Sequence, residues 1–321
     1  MENVVGIDVS KDTLAICFSL NGKVQHLEVS NDKAGFQKLI KSCGLDTWYV
    51  MEATGAYYMQ LAYHLHEQGA KVAVVNPVVI KRYIQMHLGK GKSDKKDAQW
   101  IMRYGQQSGL KLWQPEEAQM VECRQLEQVI EQLIKQKTMV MNALEALQIQ
   151  PVKSNVALKS LKQTLQLLQK QIQQMEKELE DNMNDLFKNE MKLLSSIPGI
   201  GKKTAGMLLL FYGGFKQITN YRQLVAKAGL CPREYSSGSS IRGKVRITKM
   251  GGSLIRSKLY MCSLTAMRAN AACKDLYDRL VAKGKNGKVA LIAVCNKLLK
   301  QAFAIVKSGI PYQSVFTKTS A

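Results

Sequence analysis

Carboxylates are scarce in this sequence. Asp and Glu together number 25 against 46 Lys and Arg, a formal net charge of +21. With a pI near 9.6, the chain is built to meet nucleic acid or another anionic surface; the bland alternative is a basic protein with no polyanionic partner. Soft-metal chemistry is poorly provided for. The seven cysteines (Cys17, Cys43, Cys123, Cys231, Cys262, Cys273, Cys295) form no CxxC pair, and their number is odd. They read as small core residues in a reducing cytoplasm. The four histidines show no zinc-finger spacing, and His64 and His66 are two apart, so on a helix they point to different faces. A structural zinc site is not expected, and any metal should be a hard cation on oxygen ligands. No apolar run reaches the ~18 residues needed to span a membrane. The N-terminal MENVVGIDVS lacks a basic stretch followed by an apolar core, so neither a membrane anchor nor a secretion signal is expected, and the location is read as cytoplasmic.

Against that background the placement of a few acids stands out. Asp8 lies in GIDVS (6–10), Glu52 in MEATGA (51–56), and Asp94 and Asp97 in KSDKKDA (92–98). VVGIDVS is β-branched and apolar and reads as a strand ending near Asp8. TLAICFSL (13–20) and KVQHLEVS (23–30) follow, the second after Asn21-Gly22, a strong hairpin signal. Asn31-Asp32 opens a helix; WYVMEA (48–53) is a strand ending at Glu52; a helix closed by Gly69 leads to the strand KVAVVNP (71–77), and Pro77 starts another helix. Three hairpin strands followed by alternating helix and strand fit a ribonuclease-H-like sheet, with Asp8 in mid-sheet and Glu52 ending the neighbouring strand. Asp94 and Asp97, three apart on a helix beginning near Ser93, share a face. They either turn toward a metal over the sheet or merely cap and polarise that helix. Four carboxylates suit Mg²⁺, which prefers octahedral oxygen donors, and two such ions about 4 Å apart stabilise both oxygens of a phosphodiester displacement.

The 321 residues suggest two domains with a helical connection, and 46% hydrophobic content allows a sizeable core. From Pro115 a regular apolar rhythm begins: Leu126, Ile130, Leu133, Val140, Leu144 and Leu147, with Lys137 in one core-type position. After Pro151 it resumes with Leu158, Leu161, Leu165, Leu168, Ile172, Met175 and Leu179. This heptad seam predicts coiled-coil helices, either paired between two chains, the favoured reading, or folded back as a hairpin within one.

Further on, LLSSIPGIGKKTAGMLLLFYG (193–213) reads as helix, Pro-Gly-Ile-Gly turn, helix, like a helix-hairpin-helix element. Its glycines would let backbone N–H groups approach a phosphate, with Lys202 and Lys203 adding charge; an ordinary αα turn is the alternative. The polar, Gly-rich run SSGSSIRGKVRITKMGG clusters Arg242, Lys244, Arg246 and Lys249, with Arg233 just before it, and can track a phosphate backbone. Its serines offer a hydroxyl nucleophile that arginines could activate; taken alone, such a run is a flexible linker.

Taken together, GIDVS, MEATGAY, VVNP, KSDKKDA, SIPGIGKKTA, AKAGLCPREYSSGSSIRGK, KMGGSLIRSKLYM, NGKVALIAVCNKLL and KSGIPY resemble, in order, the DEDD-type transposases of the bacterial insertion-sequence family numbered one hundred and ten, which includes the Piv-like DNA invertases. The resemblance implies an α/β plus α architecture: an RNase H-like, RuvC-like catalytic domain over 1–110, coiled-coil helices over 115–190, and a mostly helical transposase domain over 191–321 carrying the serine loop. It implies a metal-binding tetrad of Asp8, Glu52, Asp94 and Asp97, loaded with Mg²⁺ or Mn²⁺, and a serine nucleophile at Ser237, with Ser236 one register step away. It further implies double-stranded DNA and a structured guide RNA encoded by the element as partners, and a homodimer or homotetramer. Gln99 departs from the Arg that many relatives carry there. The rivals are a metal-only junction nuclease, a non-enzymatic nucleic-acid scaffold, and an actin-like phosphotransferase, which would need a phosphate-binding glycine loop in the early hairpin.

Overall fold

The computed structural model describes residues 3–20, 22–233, 236–237, 241–243 and 246–314, and for 236, 237, 241 and 242 the backbone alone. The chain divides into two compact units, 1–116 and 117–321.

The first unit is a five-stranded sheet with helices on both faces. β1 (Val4–Val9), β2 (Thr13–Leu20) and β3 (Lys23–Ser30) run antiparallel; β4 (Trp48–Glu52) and β5 (Lys71–Val75) continue in parallel from the other side of β1, giving the order β3-β2-β1-β4-β5. This order is consistent with the RNase H-like sheet expected. Four helices follow from local signals in the sequence. Asp32 caps α1 (Lys33–Cys43) by accepting from Gly35 N at 2.9 Å. α2 (Tyr58–Glu67) is closed near Gly69, whose φ of 77° is left-handed and suits glycine. Asn76 caps α3 (Pro77–Met86), with Pro77 in the first turn, and Ser93 caps α4 (Asp94–Gln107).

Strand alternation assigns side chains to the two faces. Val5, Ile7 and Val9 pack with Phe36, Leu39, Leu61 and Leu65 of α1 and α2. Val4, Ala15, Cys17 and Val50 pack with Ile80 of α3 and Ala98, Ile101 and Met102 of α4. His64 and His66 part company as their spacing requires: one ring meets Phe36 at 5.4 Å, the other meets Trp113 at 6.0 Å.

The second unit is helical. α5 (Ala118–Gln148) and α6 (Asn155–Ser195), joined by residues 149–154, pack along one another. The heptad seam lies between them: Ile130, Leu168 and Ile172 are buried and the remaining seam positions, Lys137 included, are half-buried. The periodicity therefore serves a hairpin within one chain, and the seam does not by itself call for a second copy. A helix's period fixes which face is apolar but not which helix covers it. At Phe187 the backbone of α6 leaves helical geometry (φ −140°, ψ 37°), and from Met183 to Leu194 its apolar side joins the core of the unit.

That core is completed by α7 (Lys202–Tyr212), α8 (Tyr221–Lys227), α9 (Ser253–Ala269), α10 (Ala271–Ala282) and α11 (Gly287–Ser308). α11 is, by length and composition alone, apolar enough to cross a membrane, although its apolar residues are interrupted by Lys288, Asn296, Lys297, Lys300 and Gln301 and form no unbroken run of that length. The physical reason is central packing. Ala290, Leu291, Val294, Cys295, Leu298, Leu299, Ala302 and Ile305 are all buried, so few positions are left for charge. All seven cysteines are free thiols and five are buried, as small core residues.

Candidate active site

Asp8 stands on the face of β1 that meets α4, because Val4, Gly6 and Asp8 alternate with the inward-facing Val5, Ile7 and Val9. Glu52 comes to the same face. The parallel register pairs Gly6 with Val50 and Ile7 with Met51, so Asp8 and Glu52 are the next residues on neighbouring strands. α4 brings the other two acids. Its first turn holds Asp94 and Asp97, and Ser93 Oγ accepts from Lys96 N at 3.4 Å. Capping and charge are thus divided between residues: Ser93 caps the start of the helix, and the two aspartates carry their charge where the helix dipole favours it.

Glycine sets how close α4 comes. A Cβ at Gly6 would lie 2.2 Å from Ala98 O and 2.3 Å from Met102 N. At the far end of α4, a Cβ at Gly105 would lie 2.8 Å from Val4 Cγ1 and 2.9 Å from Val50 Cγ2. Only with both side chains absent can the helix rest on β1 and β4, which brings Asp97 within electrostatic reach of Asp8. A glycine within a strand is a general sign of close backbone approach, but its partner lies some ninety residues away and cannot be read locally.

The electrostatics follow from this crowding. Burial, then the carboxylates of Asp97, Asp94 and Glu52, push the Asp8 carboxyl up to about 6, and the Lys92 ammonium works against the rise. Asp97 is also raised, first by burial, with Asp94 and Glu52 adding and Lys92 opposing. Two groups missed in the sequence therefore belong to the site. Lys92 sits just before the Ser93 cap, and Thr54 donates its hydroxyl to Glu52 Oε1 at 2.6 Å. Among the described residues, no three His, Cys, Asp or Glu side chains converge tightly enough to hold a metal ion as they stand. The donor set nevertheless suits a hard divalent cation. It consists of carboxylate oxygens, and their mutual repulsion is what such a charge relieves.

The serine run is less loop-like than its composition suggests. β6 (Pro232–Arg233) pairs with β9 (Arg246–Ile247), and β7 (Ser236–Ser237) pairs with β8 (Ile241–Arg242), both antiparallel. Ser236 is opposite Arg242, Ser237 opposite Ile241, and the exposed Arg233 opposite Arg246. The side chains of Ser236, Ser237 and Arg242, and all of Lys244, lie outside the described residues. Lys249 is exposed, with a left-handed φ of 55°, and its N–H donates to Gly229 O at 3.0 Å.

Lys202 and Lys203 are not bare cations at a turn. Lys202 Nζ lies 3.1 Å from Glu180 Oε1 and Lys203 Nζ 2.6 Å from Glu176 Oε1, both acids belonging to α6. The turn glycines are divided in use as well. Gly199 (φ 105°) is needed for packing, since a Cβ there would meet Ala266 Cβ at 2.7 Å, whereas nothing lies within 4 Å of one at Gly201.

Two family models match the chain. A DEDD transposase model covers residues 5–149, and the model of the IS116/IS110/IS902 transposase family covers residues 191–278. The pilin gene-inverting protein of Moraxella bovis is 32% identical over 321 residues, spanning 96% of this chain and 97% of that one. The pilin gene-inverting protein of Moraxella lacunata matches at the same identity, 32%, and over the same extent. The transposase for insertion sequence element IS1328 of Yersinia enterocolitica is 24% identical over 354 residues, 99% of this chain and all of the relative.

Proposed function

Since the chain belongs to the IS110 family of transposases, enzymes that cut and rejoin DNA, we propose that Asp8, Glu52, Asp94 and Asp97 hold Mg²⁺, or Mn²⁺ in its place, at the scissile phosphate. One observation carries this reading: the close seat of α4 on Gly6 gathers two strand acids and two helix acids on one face, where three carboxylates act on Asp8. A bound divalent cation supplies Lewis-acid stabilisation of phosphate charge. The chain's own groups do the rest: the four carboxylates would hold the cation, Thr54 fixes the Glu52 carboxylate by its hydrogen bond, and Lys92 offers a positive charge to a phosphate oxygen.

The nucleophile in this reading is the Ser237 hydroxyl, with Ser236 the alternative. Its oxygen gives up its proton and bonds to phosphorus, the bond from phosphorus to one deoxyribose oxygen breaks, and that oxygen takes up a proton in exchange to leave as a strand-end hydroxyl. The phosphoserine ester keeps the energy of the broken bond, so a second strand-end hydroxyl can displace the serine and rejoin DNA without ATP. Arg233, Arg246 and Lys249 supply positive charge around these short strands, and Arg242 and Lys244 are assigned the same role. A structured RNA encoded by the element would select the DNA by pairing, which the net charge of +21 suits. Joining two duplexes needs several cuts, one per serine, and asks for a homodimer or homotetramer.

The test is strand cleavage on a plasmid carrying the element's ends, followed by detergent gels for a protein–DNA adduct. Asp8→Asn should abolish both cleavage and adduct. Ser237→Ala should abolish the adduct; persistence of the adduct in Ser237→Ala and in Ser236→Ala would remove the serine from the mechanism. Cleavage without any adduct in the unaltered enzyme would favour the metal-only nuclease.

A further inference from the structure

The turn between α3 and α4 holds a second feature, separate from the carboxylates. The exposed His87 ring lies 4.5 Å from the Tyr83 ring and nearly parallel to the Trp100 ring, at 5.9 Å and 29°. Tyr83 is itself fixed, edge-on to Tyr104 at 5.4 Å and donating its hydroxyl to Gln107 Oε1 at 2.5 Å. The Arg103 guanidinium lies over Trp100, 5.2 Å from the ring centre. His87 is therefore a surface ring with a rigid aromatic backing.

The residue beside it is strained. Leu88 is 81% exposed and adopts a left-handed φ of 53°, a conformation that a bulky side chain rarely takes. A glycine follows, but it is committed to packing: a Cβ at Gly89 would meet Ile84 Cγ2 at 2.7 Å and Trp100 Cζ2 at 3.0 Å. Position 88 makes no such demand, and glycine there would remove the strain. An exposed leucine held in a costly conformation is the kind of outlier that points to use. The surroundings specify the kind of partner. Residues 81–96 contain Lys81, Arg82, Lys90, Lys92, Lys95 and Lys96 against a single acid, Asp94. The loop runs straight into α4, and the charge of Lys92 is felt at Asp8 and Asp97.

We propose that His87 and Leu88 receive an unpaired base of the DNA strand that passes the carboxylates, His87 as a stacking platform and Leu88 as a wedge that parts the base from its neighbour. The proposal rests on the reading of the acidic set as the cleavage site, because the strand at this loop is then the strand at Asp8. Every base has a face to stack, so the interaction is indifferent to sequence, while the lysines hold the phosphates. An apolar side chain pushed between bases is a common way to unstack a duplex.

The experiment uses the full chain without divalent metal, so that binding is read apart from cleavage. Probes are an intact duplex, the same duplex with two unpaired bases, one of them 2-aminopurine, and an RNA of matching sequence. His87→Ala should weaken binding of the unpaired-base DNA about ten-fold and leave intact duplex within about two-fold. His87→Phe should restore it and His87→Lys should not. Leu88→Gly should raise the melting temperature while lowering the 2-aminopurine signal, opposite movements that a merely structural role would not give. Equal losses on both duplexes, no rescue by Phe, or a larger effect on the RNA than on the DNA would overturn the proposal. Failure of Asp8→Asn to stop cleavage, with the His87 effect intact, would sink the cleavage-site reading alone.

Discussion

A methyl group placed on Gly6 would stand 2.2 Å from the carbonyl oxygen of Ala98. The strand that carries Asp8 and the helix that carries Asp97 thus meet backbone to backbone, and the spacing of the acidic set is fixed by that approach. Gly6→Ala should push α4 off the sheet, cost about 2–4 kcal/mol of stability and reduce cleavage by more than the stability loss accounts for. Gly109→Ala, where nothing lies within 4 Å, is the neutral comparison. Denaturant melts of both variants beside single-turnover cleavage check the outcome.

The acidic set should destabilise the metal-free protein and respond to metal. Asp8→Asn removes a half-buried charge pressed by Asp97, Asp94 and Glu52. It should raise the melting temperature in chelator and abolish the rise that millimolar Mg²⁺ gives the unaltered chain by mass action. Thermal melts with and without Mg²⁺ decide this; an unchanged metal response in Asp8→Asn would take Asp8 out of the ligand set.

Glu127, on α5, gives a pH dependence outside the proposed chemistry. Burial first, then the Glu131 carboxylate, push its carboxyl up to about 7, with Arg124 and Lys258 opposing. The unfolded chain releases this proton near the ordinary glutamate value of about 4.3. Between those values the folded form binds the proton more tightly, so the stability Glu127 contributes is full below about 4.3, falls as pH rises toward about 7, and is level above. Glu127→Gln should flatten that part of the profile and be the more stable protein above pH 7, by about 1–2 kcal/mol. Chemical denaturation of both proteins across pH 4–8 isolates this slope as the difference between them, because Asp8 and Asp97 titrate alike in each.

The pairing of Lys202 and Lys203 with Glu180 and Glu176 bears on DNA affinity. These pairs are exposed, so their loss should leave stability nearly unchanged. If the lysines meet phosphate, Glu176→Gln with Glu180→Gln should tighten DNA binding about two- to five-fold at low salt. Lys202→Ala with Lys203→Ala should weaken it and reduce the salt slope by about 0.9 for each phosphate that is no longer neutralised. No change in slope would assign the lysines to the α6–α7 junction alone.

Much of the first unit could be read in the chain itself, because its signals are local. Asn21-Gly22 marks a hairpin, Asp32, Asn76 and Ser93 mark helix starts, and the β-branched apolar run ending near Asp8 marks a strand. The four acids lie where the chain marks its elements, at or near a strand end or in the first turn of a helix. What sets them together could not be read there. Gly6 and Ala98 are far apart in sequence, and Thr54 and Lys92 acquire meaning only once Glu52 and Asp8 are side by side. In the second unit the period of the seam was plain, whereas its partner, the other arm of the same hairpin, was not. Lys202 and Lys203 looked free because Glu180 and Glu176 belong to the preceding helix. The strand pairs of the serine run escaped detection because two-residue strands are too short to show alternation.

The division of β1 between its two faces has a consequence for folding. Slipping that strand by one residue against β4 would exchange its faces. Asp8 would then enter the layer filled by Phe36, Leu39, Leu61 and Leu65, where a carboxylate finds neither water nor a hydrogen-bond partner. The wrong register is thereby made expensive by the same residue that the proposed chemistry depends on. Asp8 acts as a proofreader of the sheet before it has any substrate to act upon.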